Sequence, residues 1–371
     1  MNSGPRTLII INHAAARARR AWTDIESRLR ARGVRFDAHE TRHAGDATGT
    51  TRAALRAGYQ LIVVVGGDGT LSETAAGFFA LDESPALNEQ LALDKRNDSL
   101  DEQTVALDGQ AVVLSEPSAA LDERLVIAAT GLPAPVSADA VLALLPAGTG
   151  DDFARGLTGK REAVEQWLER LINYYERPEP RATRAVDALY GRARGDAGAV
   201  NFICLNVATL GLGAEVAGRV AGQSALMRRL PGEARFTAAA CGALIAWRER
   251  RVRVTVDDSP ALECSSNLLA VANGVYAGGG MMFAPNAQPD DGLMDVLTAC
   301  ELTRAVILRE LPRIRRGAHL ANPNVRTMRA SRVRIETLST DELLIEADGN
   351  VRGHTPADFQ IMPAALRIVS P

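Results

Sequence analysis

Short apolar segments alternate with amphipathic ones over the first part of the chain. The amphipathic segments Arg17 to Arg32 and Ala47 to Ala57 carry apolar residues at helical spacing, and a glycine follows each of them. Apolar strands separated by helices predict a parallel sheet covered on both faces, a doubly wound α/β domain whose ligands bind at the carboxyl ends of strands. The predicted strands are Thr7 to Ile11, Val34 to Glu40, Leu61 to Val65 and Val141 to Leu145.

Strands dominate the chain after Arg184. The strand candidates are Phe202 to Ala208, Arg251 to Val256, Asn267 to Asn273, Leu293 to Ala299, Arg332 to Glu336 and Leu343 to Glu346. The helix candidates are Ala163 to Tyr175, Ala214 to Val220, Phe236 to Arg248 and Leu302 to Arg316. We therefore expect an α/β domain over 1–180, a mainly antiparallel β domain over 181–355, and a C-terminal segment, 356–371, that returns to the first domain.

Acidic residues concentrate in one segment, 81–137, which interrupts the α/β pattern. It holds eleven Asp or Glu against three Lys or Arg, whereas the whole chain has a formal net charge of −3. The remaining residues have a net charge of +5. This charge suits anionic ligands such as nucleotides or lipid headgroups. The alternative is that these basic residues form an ordinary solvated surface. The net charge gives no reason to expect nucleic acid. Ala111 to Leu114 and Leu125 to Ala129 are strand candidates in this insertion, unless it is a partly ordered loop.

The four cysteines are widely spaced, with no histidine at metal-binding distance in the sequence: Cys204, Cys241, Cys264 and Cys300. We expect small buried hydrophobic residues in a reducing compartment, not disulfides or a zinc site. The apolar run Leu8 to Ile11 is too short for a signal peptide, and no stretch is long enough to span a bilayer. These features predict a cytoplasmic protein.

A glycine-rich turn, Gly66 to Thr70, follows the apolar strand that ends at Val65. Glycines let the backbone approach phosphate oxygens, and the N–H groups of a helix beginning near Leu71 would face the anion. A carboxylate at Asp68 is reasonable there if it binds a metal ion or a water next to one. The alternative is a plain strand-to-helix turn. The pattern is not a Walker-type loop, because the sequence contains no GxxxxGK[ST] motif.

A second turn, Gly148 to Asp152, has the same layout after the strand that ends at Leu145. Thr149 supplies a hydroxyl group, and Asp152 supplies a second carboxylate if the two strands are neighbours. The alternative role of the aspartates is to cap the following helix. Two such turns in one sheet favour a phosphate-binding cleft.

Three motifs together resemble the diacylglycerol kinase-like lipid kinases, which include bacterial diacylglycerol kinases, YegS-like lipid kinases, and sphingosine and ceramide kinases. They are Gly66 to Thr70, Pro146 to Arg155 and Asp290 to Val296, and they occur in the family's order. The resemblance implies an α/β nucleotide domain, a β-sandwich domain and an active site in the cleft between them. It also implies transfer of phosphate from ATP, with magnesium, to the hydroxyl of a diacylglycerol-like or related lipid alcohol.

The resemblance implies roles for individual residues. ATP would contact Thr41, Gly66, Gly67, Asp68, Gly69, Thr70, Leu71, Ser72, Gly148 and Thr149. Asp68, Asp152 and Asp187 match an acidic cluster that organises magnesium through waters. Asp291 matches a structural magnesium ligand, completed by the carbonyl groups of Gln288 and Leu293. Magnesium favours oxygen ligands and keeps several waters, so this set is physically reasonable. Without the resemblance, Asp290 to Gly292 would be interpreted as a polar turn.

The chain departs from the family at the catalytic base, where Asn350 follows an Asp-Gly pair in place of Glu. An amide cannot accept a proton at neutral pH, and a general base contributes roughly 10²–10⁴ in rate. If Glu346 to Asp348 is a strand, Asp348 shares a face with Asn350 and is the better substitute base. Milder departures are His13, Ser72 and Asp151, the last of which adds a negative charge beside the phosphates.

Two other functions stay open at this stage. One is a nucleotide- or lipid-binding relative that keeps the turns but has weak or no catalysis. The other is an NAD kinase, which shares the first turn, although the second turn and Asp290 to Val296 match the lipid kinases instead.

Arginines are frequent from Leu302 to Arg334. This segment could contact an anionic membrane, and a solvated helix face is an equal alternative. The sequence is compatible with a homodimer.

Overall fold

The computed structural model describes residues 4–13, 15–81, 131–196, 198–223 and 232–370. Four parallel strands form one end of its main sheet. Their bounds are β1 Thr7–Ile11, β2 Phe36–Glu40, β3 Leu61–Gly66 and β4 Val141–Pro146. The order across the sheet is β2-β1-β3-β4, every neighbouring pair being parallel. β1 and β3 are buried along their whole length, as their apolar sequences predict. Ala111 to Leu114 and Leu125 to Ala129 lie outside the described residues.

Helices connect these strands and cover the sheet. They are α1 Ala16–Ala31, α2 Asp46–Arg56, α3 Asp68–Ala76, α4 Asp152–Thr158 and α5 Val164–Glu176. Within α1, the buried residues Ala18, Trp22, Ile25 and Leu29 recur at spacings of three and four, so a single face contacts the sheet. The prediction that a helix begins near Leu71 is wrong by one turn. α3 begins at Asp68, which places that carboxylate in the first helical turn itself.

In the described residues of the second half, the structure consists mainly of antiparallel strands and three α-helices. The strands are β5 Thr183–Gly195, β6 Gly198–Cys204, β7 Val207–Gly211, β8 Arg250–Val256, β9 Leu262–Ala272, β10 Tyr276–Ala277, β11 Met281–Met282, β12 Met294–Cys300, β13 Val325–Ala330, β14 Arg332–Thr337, β15 Leu344–Ala347 and β16 Asn350–Val369. The helices are α6 Leu212–Ala221, α7 Gly232–Ala246 and α8 Arg304–Ile314. Hydrogen-bonded pairing runs from β7 through β9, β8, β14, β16 and β15 back to β7. The predicted fold class is confirmed.

The last strand, β16, connects the two halves. It pairs with β15 near its start, with β14 and β5 along its length, and in parallel with β4 through Arg367 and Ile368. Two hydrophobic cores lie on either side of this connection, one around β1, β3 and β4 and one inside the β domain. The continuous backbone of β16 therefore fixes how the two cores are joined.

The predicted strand Phe202 to Ala208 is wrong in one respect, because the structure breaks it. β6 ends at Cys204 and β7 begins at Val207. The main-chain N–H groups of Leu205 and Asn206 donate to the carboxylate of Asp348 at 2.7 and 3.0 Å instead of to a neighbouring strand. Because the residues on both sides of the break are apolar, the sequence pattern predicted one continuous strand.

The expectation of four unpaired, buried cysteines is also wrong. Cys264 and Cys300 form a disulfide between the adjacent strands β9 and β12, with their Cα atoms 6.1 Å apart. Cys204 is buried and Cys241 is exposed. The pairing joins residues that are 36 positions apart, so only the strand register brings them together. No helix in the described part of the chain is both long and apolar enough to cross a membrane.

Candidate active site

The first glycine turn lies where β3 ends and α3 begins, at the carboxyl edge of the parallel sheet. Gly66 is the last residue of β3, and Gly67 precedes the helix in an extended conformation. The side-chain amide of Asn12, at the end of the neighbouring β1, donates to the Thr70 hydroxyl at 2.9 Å. The N–H groups in the first turn of α3 have no intrahelical acceptor, so they are available to an anion.

The two glycine turns contact each other through their backbones. The N–H of Ala147 donates to the carbonyl oxygen of Gly66 at 2.9 Å. A Cβ atom added at Gly67 would lie 3.1 Å from the Cα of Gly148, and one added at Gly148 would collide with Gly67. Glycine is therefore required on both sides of this contact. The prediction that both turns belong to one cleft needed β3 and β4 to be neighbours, and they are.

Asp68 and Asp152 converge on Gly150. A Cβ atom placed there would be 3.0 Å from Oδ2 of Asp68 and 3.1 Å from Oδ2 of Asp152. Oδ1 of Asp68 accepts the N–H of Phe153 at 3.0 Å, and Oδ2 of Asp152 accepts the N–H of Gly279 at 2.7 Å. Oδ1 of Asp152 is buried and has no hydrogen-bond partner among the described residues. The pair thus presents an unsatisfied acceptor beside the first turn.

Burial and mutual repulsion shift both carboxyl groups. Burial and, second, the negative charge of Asp152 raise the pKa of Asp68 to about 7, against the hydrogen bonds from the main-chain N–H groups of Phe153 and Asp152. Burial also raises the pKa of Asp152, although the N–H of Gly279 and the charge of Arg155 oppose this. Two carboxylates in one confined place resist simultaneous ionisation, so the pair favours either a shared proton or a bound cation.

The negative charge of Asp151 is opposed by an ion pair with Arg161. Oδ1 of Asp151 accepts the N–H of Gly148 at 2.7 Å, and Oδ2 pairs with Arg161 at 2.7 Å. Arg161 and Arg17 both donate to the carbonyl oxygen of Gly148, at 3.1 and 2.8 Å. Asp151 itself has a φ of +50°, a left-handed conformation that an aspartate tolerates better than most residues. The arginines were not among the predicted site residues.

Thr41 lies beside the end of β1, where its N–H donates to the carbonyl oxygen of Ile11 at 2.9 Å. The loop after it is held by Asp46, whose carboxylate accepts the N–H of Arg42 at 2.8 Å and lies 3.1 Å from Nε2 of His39. The Arg42 hydrogen bond lowers the pKa of Asp46. Of the remaining predicted contacts, Thr149 is exposed, whereas Leu71 and Ser72 are buried in α3.

Asp187 is joined to the Asp290 to Gly292 turn. Its carboxylate oxygens accept the N–H groups of Gly292 and Ala364, each at 2.7 Å, and its own N–H donates to the carbonyl oxygen of Pro289. The side chain is almost fully buried. These bonds join the turn to the end of β16, and both carboxylate oxygens of Asp187 accept main-chain N–H groups.

Asp291 forms an ion pair with Arg329, and its Oδ1 accepts the N–H of Leu293 at 3.1 Å. No group of three or more metal-binding side chains occurs in the described ranges of the chain. A site of the predicted kind, made of Asp291, main-chain carbonyls of Gln288 and Leu293, and water, does not require such a group. In this structure the charge that balances Asp291 is a guanidinium group.

The predicted strand through Asp348, on which its role as a substitute base depended, is wrong, because the segment is a hairpin turn in which the Asp348 carboxylate accepts main-chain N–H groups. Ala347 and Asn350 pair across the turn, and Asp348 and Gly349 have φ values of +49° and +86°. The Asp348 carboxylate accepts the N–H groups of Leu205, Asn206 and Val207 and the Cys204 thiol. It is buried, and it holds the break between β6 and β7.

The sequence contained a signal for this turn. Asp-Gly between two short runs of alternating residues is typical of a two-residue hairpin, since both positions adopt left-handed conformations readily. A strand through Asp348 would have put Asp348 and Asn350 on one face, whereas Asp348 lies in the turn and Asn350 begins β16. Glu346 instead accepts the Thr209 hydroxyl at 2.7 Å and the N–H of Gly349, and burial raises its pKa to about 7.

Asn350 lies opposite the first glycine turn. A Cβ atom at Gly69 would be 3.7 Å from its amide nitrogen and 3.9 Å from the carbonyl oxygen of Asp348. The amide nitrogen is buried and has no hydrogen-bond partner within the described residues. The β15–β16 hairpin therefore lies against the first turn of α3, with the Asn350 amide facing Gly69.

Two family models match the chain. The diacylglycerol kinase catalytic domain matches residues 6–89, and the YegS C-terminal NAD kinase beta sandwich-like domain matches residues 207–370. A solved diacylglycerol kinase from Bacillus anthracis str. Sterne has a TM-score of 0.59 at 17% identity, covering 100% of this chain and 98% of its own. At that identity the likeness describes the fold.

Curated relatives agree with these matches. A diacylglycerol kinase from Mycobacterium tuberculosis (strain ATCC 25618 / H37Rv) is 30% identical over 241 residues, 63% of this chain and 70% of the relative. A diacylglycerol kinase from Bacillus subtilis (strain 168) is 22% identical over 369 residues, 99% of this chain and 96% of the relative. A protein named "Probable lipid kinase YegS-like" from Stenotrophomonas maltophilia (strain K279a) is 27% identical, with 99% and 96% covered. Together with the two turns and the Asp68–Asp152 pair, these similarities show that the chain belongs to the diacylglycerol kinase-like family of lipid kinases.

Proposed function

We propose that the protein transfers the γ-phosphate of ATP, with magnesium, to the hydroxyl of a diacylglycerol-like lipid alcohol. The observation that carries the proposal is the junction of the two glycine turns, where N–H groups of α3 face the cleft and Asp68 and Asp152 converge. A helix N-terminus attracts phosphate, and the paired carboxylates would hold the cation that accompanies it. The class of acceptor, a lipid alcohol, is inferred from the family to which the chain belongs.

The acidic pair fits a divalent cation. Among the described residues, Oδ1 of Asp152 is a buried acceptor without a partner, and burial together with the negative charge of Asp152 raises the pKa of Asp68. Both groups are hard oxygen donors of the kind that magnesium prefers. When bound, magnesium would supply charge neutralisation at the phosphates. Asp187 would support the site indirectly, by holding the turn that carries Asp291.

The residues of this chain suit a transfer that depends on positioning rather than on a strong base. The oxygen of the lipid hydroxyl forms a bond to the γ-phosphorus, and the bond from that phosphorus to the bridging oxygen of ADP breaks. The proton of the hydroxyl leaves to solvent water or to a phosphate oxygen. Phosphoryl transfer has a loose transition state and gains most from orientation and charge stabilisation, so Asn350 does not preclude activity.

Contact with an anionic membrane would bring the enzyme to its substrate. α8 exposes Leu308 and Leu311, which are 52% and 39% accessible, and Arg315 and Arg316 follow at its C-terminal end. Apolar side chains beside arginines suit a bilayer surface with acidic headgroups, each arginine contributing about 1 kcal/mol. Binding to vesicles with and without phosphatidylglycerol, in wild type and in Leu308→Ser/Leu311→Ser, measures this contribution.

A radiolabelled ATP assay tests the function. Wild-type protein with magnesium is incubated with diacylglycerol, a sphingosine-type lipid, free NAD or no acceptor, and the products are separated. We expect label in phosphatidic acid, and none with Asp68→Asn. Label in NADP would make the protein an NAD kinase. ATP binding without transfer to any lipid would leave a non-catalytic relative and refute the kinase proposal.

A further inference from the structure

The amide of Asn350 is a hydrogen-bond donor without an acceptor, placed at the phosphate-binding turn. Its nitrogen is buried and has no partner in the described part of the chain, and it lies next to Gly69 in the first turn of α3. A buried donor left unsatisfied destabilises the folded protein. An arrangement of this kind is therefore expected where a ligand completes the bond.

The acidic groups around Asn350 already have partners of their own. Both oxygens of Asp348 accept N–H groups from Leu205 to Val207. Glu346 accepts the Thr209 hydroxyl and the N–H of Gly349. Neither carboxylate is bonded to the Asn350 amide. The free donor is thus available to a group that enters the cleft.

The same turn provides other donors. The N–H groups that begin α3, at Asp68 to Thr70, lack intrahelical acceptors and favour an anion. An amide nitrogen can donate but cannot accept, and it carries no charge. The ligand atom that suits both the helix turn and Asn350 is therefore an anionic oxygen. In the proposed function, that atom is a phosphate oxygen.

We propose that Asn350 donates a hydrogen bond to a phosphate oxygen of the nucleotide held on the Gly66 to Thr70 turn. The proposal rests on the proposed function for the identity of the ligand, but it concerns nucleotide binding and not transfer. At this point of the cleft the chain has a neutral phosphate-contacting donor in place of a proton acceptor. A carboxylate here would add negative charge opposite the phosphates and beside Asp68 and Asp152.

The test measures binding of magnesium–ATP and of adenosine by calorimetry, with no lipid present. We expect Asn350→Ala to weaken ATP binding roughly 10-fold, the loss of one charge-assisted hydrogen bond. Asn350→Asp, which has the same shape but replaces the donor with a charged acceptor, should weaken ATP binding further. Adenosine has no phosphate, so its affinity should stay the same in all variants. Asn350→Ser, which keeps a shorter donor, should retain more ATP affinity than Asn350→Ala.

Asn173→Ala and Asn173→Asp are matched controls, since Asn173 is exposed on α5, far in sequence from the turns. Thermal denaturation confirms that each variant is folded before binding is measured. Unchanged ATP affinity in folded Asn350→Ala would overturn the proposal. So would Asn350→Glu binding ATP as tightly as wild type while phosphorylating diacylglycerol faster, because the position would then need a base. Failure of wild type to phosphorylate any lipid would refute the kinase function alone, since nucleotide binding is measured separately.

Discussion

The carboxylate of Asp152 accepts the main-chain N–H of Gly279 at 2.7 Å, and this hydrogen bond joins the second glycine turn to the β domain. Gly278 to Gly280 all have left-handed φ values, so the loop reaches the turn in a conformation that glycine adopts easily. Arg155, three residues after Asp152, stacks over the Tyr276 ring at 5.3 Å. One short segment of α4 therefore contacts both the proposed phosphate site and the acceptor domain.

Asp152→Ala should remove the hydrogen bond between the second glycine turn and the Gly278 to Gly280 loop, as well as a carboxylate of the site. We expect loss of at least 100-fold in turnover, the magnitude typical for removing a pre-organised electrostatic group. We also expect faster amide exchange of Gly278 to Gly280, measured by hydrogen–deuterium exchange mass spectrometry. Asp139→Ala, at an exposed site, is the control. Lost activity with unchanged exchange would show that Asp152 does not hold the loop.

Asp68→Asn should stabilise the folded protein at pH 8 when magnesium is absent. The folded Asp68 carboxyl keeps its proton up to a pKa of about 7, whereas an unfolded aspartate loses it near 3.8. Between these values the unfolded state binds fewer protons, so wild-type stability falls as the pH rises, and the deficit is complete above pH 7. We expect the variant to gain about 1–3 kcal/mol at pH 8 and much less at pH 4.5.

Urea denaturation in EDTA at both pH values measures this difference, with Asp139→Asn as the control. Magnesium should reduce the advantage at pH 8, because a cation stabilises the wild-type carboxylates and not the amide. If the variant and wild type were equally stable at pH 8, ionisation of Asp68 would not destabilise the folded protein.

Asp348→Ala should unfold the protein more easily, whether or not it is catalytic. Its carboxylate holds the N–H groups of Leu205, Asn206 and Val207 at the break between β6 and β7. Leaving these buried donors unsatisfied should cost about 2–4 kcal/mol. Asp348→Asn should cost less, because asparagine tolerates the φ of +49° and still offers one acceptor. Urea denaturation measures both. Normal stability combined with lost turnover in Asp348→Asn would instead restore the interpretation of Asp348 as a base.

Arg329→Ala should expose Asp291 to divalent cations. The guanidinium of Arg329 pairs with Asp291 and also opposes the raised pKa that burial gives Asp295. A guanidinium and a divalent cation compete for the same carboxylate, so the variant should show a larger rise in Tm with magnesium than wild type. Differential scanning fluorimetry over a magnesium titration measures the rise. Arg326→Ala, on the same strand, is the control. Identical titrations would mean that Asp291 does not bind magnesium in either protein.

Arg161→Ala should weaken nucleotide binding by leaving the charge of Asp151 unopposed beside Gly148. The Arg161–Asp151 pair is 2.7 Å long, and Arg161 also donates to the Gly148 carbonyl oxygen. We expect ATP affinity to fall about 5- to 10-fold, consistent with about 1–1.4 kcal/mol for a partly exposed pair. The double variant Arg161→Ala/Asp151→Asn should recover most of the affinity. No recovery would assign the effect to the lost contact with Gly148.

Local patterns predicted most of the first domain. β1, β3 and β4 are runs of mainly apolar residues, which predict burial on both faces of the sheet, and the glycines after β3 and β4 mark the two turns. The helix α1 was predicted to within one residue at each end. The first turn of α3 was missed, because Gly67, Asp68 and Gly69 have weak helix propensity, and neighbouring structure overrides such preferences.

In the β domain, the alternation of residues located strands but not their interruptions. The break at Leu205 depends on a carboxylate from the β15–β16 hairpin, more than 140 positions away in the chain. The disulfide between Cys264 and Cys300 depends on the register of β9 with β12. The spacing of residues along the sequence does not predict either contact.

The sequence by itself determined the two glycine turns, because their glycines let two backbones approach closely, as at Gly67 and Gly148. It also set a neutral amide, Asn350, at the position where the resemblance to the family implies a base. Only the tertiary structure decided what surrounds these residues. It paired Asp68 with Asp152, gave Asp151 an arginine partner, and bonded the carboxylates of Asp187 and Asp348 to main-chain N–H groups. Such roles depend on which hydrogen-bonding groups long-range packing brings within about 3 Å, and one sequence does not specify those distances.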